Sequence, residues 1–150
     1  MKNVVECVPN FSTSDPKIVD SILKEIKKMK DAFLLDYTFD DYYNRLVVTF
    51  VSHKESALRA ALKAAFKAIE LIDMNKHKGQ HPRIGAVDVV PFIPLEETEM
   101  QDCIELAKEF GRSLAEQCSI PVYLYGEAAT SSKRSDLDWI RKGGYERLSE

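Results

Sequence analysis

The residues best suited to chemistry lie in a polar loop, residues 73–85, which contains two of the three histidines of the chain, His77 and His81. Only histidine titrates near neutral pH without special tuning, so His81 could act as a general base or acid. Arg83 stands two residues further on and offers a planar fork that suits a carboxylate, and Pro82 restricts the backbone between them. The loop therefore predicts proton transfer beside an anion-binding group. The alternative is that His81 is a loop histidine hydrogen-bonded to a backbone carbonyl, which spacing alone favours.

His77 and His81 are four residues apart, which is also the spacing of two metal ligands on one helical turn. Gly79 and Pro82 argue against a helix between them, and no cysteine or third ligand stands close by in sequence. We therefore expect no metal at this site.

A second polar cluster, Asn44–Arg45, follows a turn rich in aspartate and tyrosine. It indicates either a ligand-facing group or a hairpin turn with a structural asparagine, and spacing alone favours the turn. Asp88 is a carboxylate out of place in the otherwise hydrophobic run Ala86–Ile93. The loop matches neither a Walker motif nor a dinucleotide fingerprint, so the sequence does not support nucleotide binding.

The elements that position these residues alternate between helix and strand. Apolar residues at helical spacing predict helices from Pro16, from Lys54 and after a capping box of Thr98 with Gln101. Residues 126–134 are expected to form a loop, and residues 135–150 a short helix with a frayed end. β-branched and aromatic runs predict five strands at Val4–Val8, Phe33–Tyr37, Leu46–Val51, Ala86–Ile93 and Pro121–Tyr125.

This order, with one hairpin between the second and third strands, predicts an α+β fold. We expect a mixed β-sheet with helices packed mainly on one face, beginning like the ferredoxin-type split unit. The 150 residues fit one domain, residues 1–150, with enough length for one buried core.

Composition excludes several classes of partner. The chain is 45% hydrophobic and 30% charged with a formal charge of −3, so no basic field is present for nucleic acid. No apolar run reaches membrane-spanning length and no basic-then-apolar leader is visible, so we expect no membrane association and a cytoplasmic location. The three cysteines lack framework spacing and are expected to be reduced thiols.

Seven segments, in order along nearly the whole chain, carry a family resemblance. They are VECVPNFS (5–12), LLD (34–36), NR (44–45), IDM (72–74), GQHPRIGAVD (79–88), PFIP (91–94) and PVYLYGEAA (121–129). Together they resemble the amino-terminal subdomain of glutamate formiminotransferase, in the formiminotransferase-cyclodeaminase family.

The resemblance implies a folate enzyme of histidine degradation with the fold of that subdomain. Such an enzyme moves a formimino group from N-formimino-L-glutamate to tetrahydrofolate, its co-substrate, and uses no metal. His81 stands at the histidine of the family's G-E-H-P-R segment, so it is the implied general base and acid. The implied substrate- or folate-binding residues are Arg83, Asn44, Arg45, Asp36, Asp88 and Gln80, with the two arginines as candidates for substrate carboxylates.

The chain differs from the family pattern at three places. Gln80 replaces a glutamate beside the histidine, Thr38 replaces the second acid of L-L-D-x-D, and Thr13–Ser14 replaces a Glu-Gly pair. Loss of charged partners changes the pKa of a histidine and its contacts with cationic ligands.

The resemblance also implies a second half of the site. In the family, folate binds between this subdomain and a second one, and the chain ends before the segment expected to supply its last strand. We therefore expect a homodimer or a separate partner carrying the C-terminal subdomain. The alternative function is a non-catalytic folate- or small-ligand-binding or interaction module derived from the same scaffold.

Overall fold

The computed structural model describes residues 2–149 and contains a six-stranded sheet. In chain order its elements are β1 (Val4–Cys7), β2 (Asn10–Phe11), α1 (Pro16–Lys27), β3 (Ala32–Asp40), β4 (Arg45–His53), α2 (Lys54–Leu71), β5 (Val87–Val89), β6 (Phe92–Pro94), α3 (Met100–Cys118) and α4 (Leu137–Arg141). Short 3₁₀ helices follow α3 at Gly126–Ala128, Ser132–Ser135 and Tyr145–Ser149.

Strand β4 lies inside the sheet and is paired on both edges. β3 pairs with one edge as the predicted hairpin, while β1 and β2 share the other edge. β6 pairs with β1, and β5 pairs with β2. These pairings are antiparallel, and the strands form four rows: β3, β4, β1–β2 and β5–β6.

One face of the sheet packs against the helices. Side chains alternate along β4, so that Leu46, Val48, Phe50 and Ser52 are buried while the residues between them are half-buried. The buried residues of α2 are all alanines: Ala57, Ala60, Ala61, Ala64, Ala65 and Ala68. Their small side chains let this helix lie close to the sheet and to α1. The predicted α+β fold is confirmed.

The helix starts were predicted with unequal success. Asp15 caps α1 as expected, because its carboxylate accepts a hydrogen bond from Lys17 N at 2.9 Å. The capping box of α3 begins one residue later than the predicted Thr98: Glu99 is the N-cap, and its backbone N–H donates to Asp102 at 2.9 Å. Thr98 instead donates its hydroxyl to the Val4 carbonyl at 2.7 Å, so it is used to hold the first strand.

The prediction of a strand at Pro121–Tyr125 is wrong. Its composition suits a strand, but a strand also needs a hydrogen-bonded neighbour, and within residues 2–149 this segment has none. Val122 packs on Gly111 of α3 instead. A cavity of about 560 Å³ lies here, lined by Val90 and Phe92 as well as by Val122 and Leu124.

The remaining expectations concern the tail, the cysteines and the membrane. The tail contains the short helix α4, although the predicted end at Glu150 lies outside the described residues. The three cysteines are unbridged, as expected, and Cys7 and Cys103 are buried. None of the helices within residues 2–149 is both long and apolar enough to cross a membrane.

Candidate active site around His81

His81 lies in the loop between α2 and β5 and is bonded through both ring nitrogens. Nδ1 lies 2.6 Å from the Pro82 carbonyl, which can only accept, so Nδ1 carries the proton. Nε2 lies 2.6 Å from Nη1 of Arg45, which can only donate, so Nε2 presents its lone pair. These partners assign His81 as a neutral imidazole with the proton on Nδ1.

The surroundings of His81 favour this neutral form. Burial lowers the pKa of His81 below its ordinary value, and the positive charges of Arg45 and Arg141 lower it further. The Pro82 carbonyl and Asp88 oppose them. Because the net direction is downward, the ring is unprotonated near neutral pH and has the lone pair that a general base requires.

The loop is held in place by the turn between β3 and β4. Asn44, with a φ of +52°, directs the chain back into β4, and its side-chain amide donates to the Lys78 carbonyl at 2.9 Å. The backbone N–H of Gln80 donates to the Tyr42 carbonyl at 3.1 Å. A Cβ on Gly79 would lie 2.3 Å from the Tyr43 carbonyl oxygen, so this close approach requires glycine.

Arg83 lies in the same cluster, but each of its three guanidinium nitrogens already donates a hydrogen bond within the protein. Its Nε donates to His77 Nδ1 at 2.9 Å, and its two Nη atoms bind the carboxylate of Glu146 at 2.9 and 2.8 Å. The hydrogen bond and charge of Arg83 lower the pKa of Glu146 to about 2. His77 in turn has its Nε2 bonded to the Asn44 carbonyl at 2.9 Å. A substrate carboxylate could bind Arg83 only by displacing Glu146.

Asp88 is buried, with 2% of its side chain exposed. One carboxylate oxygen accepts from Ile84 N at 2.8 Å, and the other binds Arg141 of α4. Asp88 thus ties the loop to the C-terminal tail. Nε of Arg141 is buried and has no partner among the described residues.

The other two predicted residues lie at the margin of this cluster. In the sheet, Asp40 lies opposite Arg45, and Asp36 lies opposite Thr49 on the same face. Asp36 is therefore four residues, or roughly 13 Å, along β3 from the position opposite Arg45. Its carboxylate accepts from Tyr37 N at 2.8 Å. The side chain of Gln80 is exposed to solvent.

The structure therefore brings together five of the seven predicted residues, His81, Arg83, Asn44, Arg45 and Asp88, around one shallow depression that Ser12, Tyr43 and His77 also line. Glu146 and Arg141 carry no sequence signal, because nothing in a tail expected to fray marks them as partners of residues more than fifty positions away. Within residues 2–149, no group of three or more His, Cys, Asp or Glu side chains is arranged to hold a metal ion. The much larger apolar cavity does not include His81 in its lining.

Comparison with known proteins identifies similar chains. The family model described as the formiminotransferase domain, N-terminal subdomain, matches residues 4–150. The chain is 48% identical over 151 residues to the formimidoyltransferase-cyclodeaminase of Mus musculus, covering 100% of this chain and 28% of that protein. It is 45% and 38% identical over 151 residues to the glutamate formimidoyltransferases of Thermoplasma acidophilum and Streptococcus pyogenes serotype M1, covering 99% and 100% of this chain and 50% of each relative. The chain thus spans half or less of the length of these relatives.

Proposed function

Because the chain belongs to the formiminotransferase family, as its N-terminal subdomain, we propose that it supplies the catalytic half of a formimino-transfer site. The donor is N-formimino-L-glutamate and the acceptor is tetrahydrofolate, which becomes 5-formimino-tetrahydrofolate as glutamate is released. The observation that carries the proposal is the state of His81, a neutral imidazole whose Nε2 lone pair, bonded here to Arg45, lies at a shallow polar depression.

The proton steps of this reaction need one group that first accepts and then donates. N5 of tetrahydrofolate attacks the formimino carbon, a C–N bond forms, and the N5 proton passes to Nε2 of His81. The tetrahedral intermediate then loses glutamate as its C–N bond breaks, and the imidazolium returns the proton to the departing nitrogen. The Pro82 carbonyl keeps Nδ1–H oriented throughout and stabilises the transient positive charge.

The roles of the surrounding residues follow from their present contacts. Arg45 is proposed to bind a donor carboxylate, because its neighbours His81 and Asn10 are neutral acceptors that a carboxylate can replace. Arg83 is proposed as a second carboxylate ligand, which requires the exchange of Glu146 for substrate. The remaining proposed residues border the ligand or hold the loop: Asn44, Asp36, Asp88 and Gln80.

We further propose that a second polypeptide surface completes the site, either a second copy of this chain or a partner carrying the C-terminal subdomain. Two observations support this. The chain spans half or less of the length of its relatives, and β3 exposes Leu35, Tyr37 and Phe39, with 60%, 44% and 40% of each residue accessible. Three unbridged cysteines fit a reducing compartment such as the cytoplasm.

A non-catalytic ligand-binding module is the second candidate function, because the base is covered by Arg45 in this structure and the neighbouring Gln80 carries no charge.

The two candidate functions are distinguished by turnover, which only the first predicts. Purified protein is mixed with formiminoglutamate and tetrahydrofolate, and a cyclodeaminase converts the product to methenyl-tetrahydrofolate, which is followed by absorbance.

We expect turnover that falls by roughly 10²- to 10⁴-fold in His81→Gln, the usual contribution of general acid–base catalysis. His53→Gln is the matched control, because His53 lies at the opposite end of β4 and contacts the Lys2 carbonyl. Tetrahydrofolate binding without turnover would favour the ligand-binding module. Equal rates in both variants would remove His81 from the mechanism.

A further inference from the structure

The base of the proposed site is blocked by a neighbouring cation. Nη1 of Arg45 donates to Nε2 of His81 over 2.6 Å. A guanidinium has donors only, so this contact occupies the lone pair that would accept the substrate's proton. While the contact lasts, His81 cannot act as a base through Nε2.

Arg45 differs from the other two arginines of the cluster in its partners. Arg83 binds Glu146 and Arg141 binds Asp88. Arg45 forms no salt bridge with any carboxylate in residues 2–149, and its second acceptor is the neutral Asn10 amide oxygen at 3.5 Å. A carboxylate can accept two parallel charge-assisted hydrogen bonds from a guanidinium and carries the opposite charge, whereas a neutral acceptor offers neither advantage. An incoming carboxylate therefore competes well for Arg45.

We propose that Arg45 couples recognition of a donor carboxylate to release of the base. When a carboxylate of the donor binds Arg45, the guanidinium leaves Nε2 of His81, whose lone pair is then free to accept the proton of the attacking nitrogen. A donor without that carboxylate leaves the base covered, so Arg45 acts as a positioning and specificity-determining residue. The catalytic consequence rests on the proposed function, whereas the exchange of partners on Arg45 needs no turnover.

The charges around His81 give this exchange a measurable signal. Among the described residues, five groups face His81. They are Arg45 from β4, Tyr43 from the β3–β4 turn, Asp88 from β5, Arg141 from α4, and Pro82, the residue that follows His81 in the chain. Arg45 and Arg141 lower the pKa of His81, and Asp88 raises it. Removal of Arg45, or its transfer to a carboxylate, should therefore move the titration of His81 upward.

The test is an NMR titration of His81 in ¹⁵N-labelled protein, with its signals assigned by His81→Gln. Arg45→Gln removes the cation, Arg45→Lys keeps a charge with a single donor group, and Arg59→Gln is the matched control on the exposed face of α2. The ligand is glutarate, and glutaramide is its neutral counterpart. We expect Arg45→Gln to raise the titration midpoint of His81, Arg45→Lys to raise this midpoint less, and Arg59→Gln to leave it unchanged.

In the wild-type protein, glutarate should raise the midpoint and glutaramide should not, and neither should act on Arg45→Gln. The idea is overturned if Arg45→Gln titrates like Arg59→Gln, if glutarate has no effect or acts equally on wild type and Arg45→Gln, or if the wild-type ring carries its neutral-state proton on Nε2. If Arg45→Gln does not fold, Arg45→Lys is compared with Arg59→Gln instead, and a His81 titration midpoint equal in these two variants would overturn the idea.

Turnover separates this inference from the proposed function. Arg45→Gln should lower kcat/KM for formiminoglutamate by roughly 10- to 100-fold, mainly through KM, as expected for the loss of a charged hydrogen bond. If the titrations behave as expected but no formimino transfer occurs, the proposed function fails and the exchange stands. If His81-dependent transfer occurs but Arg45→Gln leaves the titration unchanged, the exchange fails and the proposed function stands.

Discussion

Gly79 is the residue at which the His81 loop rests on the β3–β4 turn, and Gly79→Ala should separate the two. The added Cβ would lie 2.3 Å from the carbonyl oxygen of Tyr43 and 2.9 Å from Cβ of Asn44. The first contact is with backbone and the second is with the first side-chain atom. Neither atom can move aside unless the turn moves with it.

The size of the effect follows from what the loop must give up. Two hydrogen bonds join it to the turn, from Gln80 N to the Tyr42 carbonyl at 3.1 Å and from the Asn44 amide to the Lys78 carbonyl at 2.9 Å. Each contributes about 1 kcal/mol, and an overpacked contact costs about 1–3 kcal/mol. The loop can relieve the steric contact by breaking these two hydrogen bonds, so only one of the two costs applies. We therefore expect the free energy that holds the loop on the turn to fall by about 2 kcal/mol.

Hydrogen exchange at the Gln80 amide measures this loss directly. A loss of about 2 kcal/mol in loop docking corresponds to a roughly 30-fold faster exchange. Gly85→Ala is the matched control in the same loop, because its Cβ would meet the Val87 carbonyl oxygen at an ordinary 3.5 Å. If both variants exchange at the wild-type rate, the loop does not rest on the turn as described and the steric argument is refuted.

Three further predictions concern ionisable groups. Asp88→Ala should lower the free energy of unfolding by about 3–5 kcal/mol, measured by urea denaturation, because it leaves the largely buried guanidinium of Arg141 without its partner. Glu146→Gln should lower the Tm only where Glu146 is ionised in the wild type. Since contact with Arg83 lowers the pKa of Glu146 from 4.5 to about 2, the Tm difference should be full above pH 4.5 and disappear as pH falls through about 2. The acid limb of kcat/KM should lie below pH 6.5, because the pKa of His81 is lowered from that value and activity is lost as the base is protonated.

Each of these predictions has a control variant or an outcome that would contradict it. Asp20→Ala removes an exposed partner of Lys24 on α1 and should change stability by less than about 1 kcal/mol; a similar loss in both variants would contradict a special role for the buried pair. A Tm difference in Glu146→Gln that persists at pH 2 would show that the ion pair is not its cause. An acid limb at or above pH 6.5 would mean that His81 is not the titrating base.

The sequence predicts those parts of the structure that depend on neighbours along the chain. The apolar stripe of α1 and its Asp15–Pro16 start are local features, and they are found as expected. Pro121–Tyr125 fails as a prediction because β-branched composition describes the strand itself and not the presence of a neighbouring strand. The pairing of Arg83 with Glu146, 63 positions away, has no sequence signal either. This ion pair decides whether Arg83 is available to bind substrate.

The position of β1 between β4 and β6 has a consequence for the order in which the chain can assemble. β1 precedes β4 and β6 in the chain, so it cannot be enclosed on both edges until β6 has emerged. At about 5–20 residues per second, the 85 residues from Val8 to Phe92 take roughly 4–17 s to translate. During that interval an apolar strand has an open edge that can pair with other nascent chains. Folding of this protein during synthesis therefore favours conditions that shield β1, and truncation before β6 should give aggregation rather than a smaller folded unit.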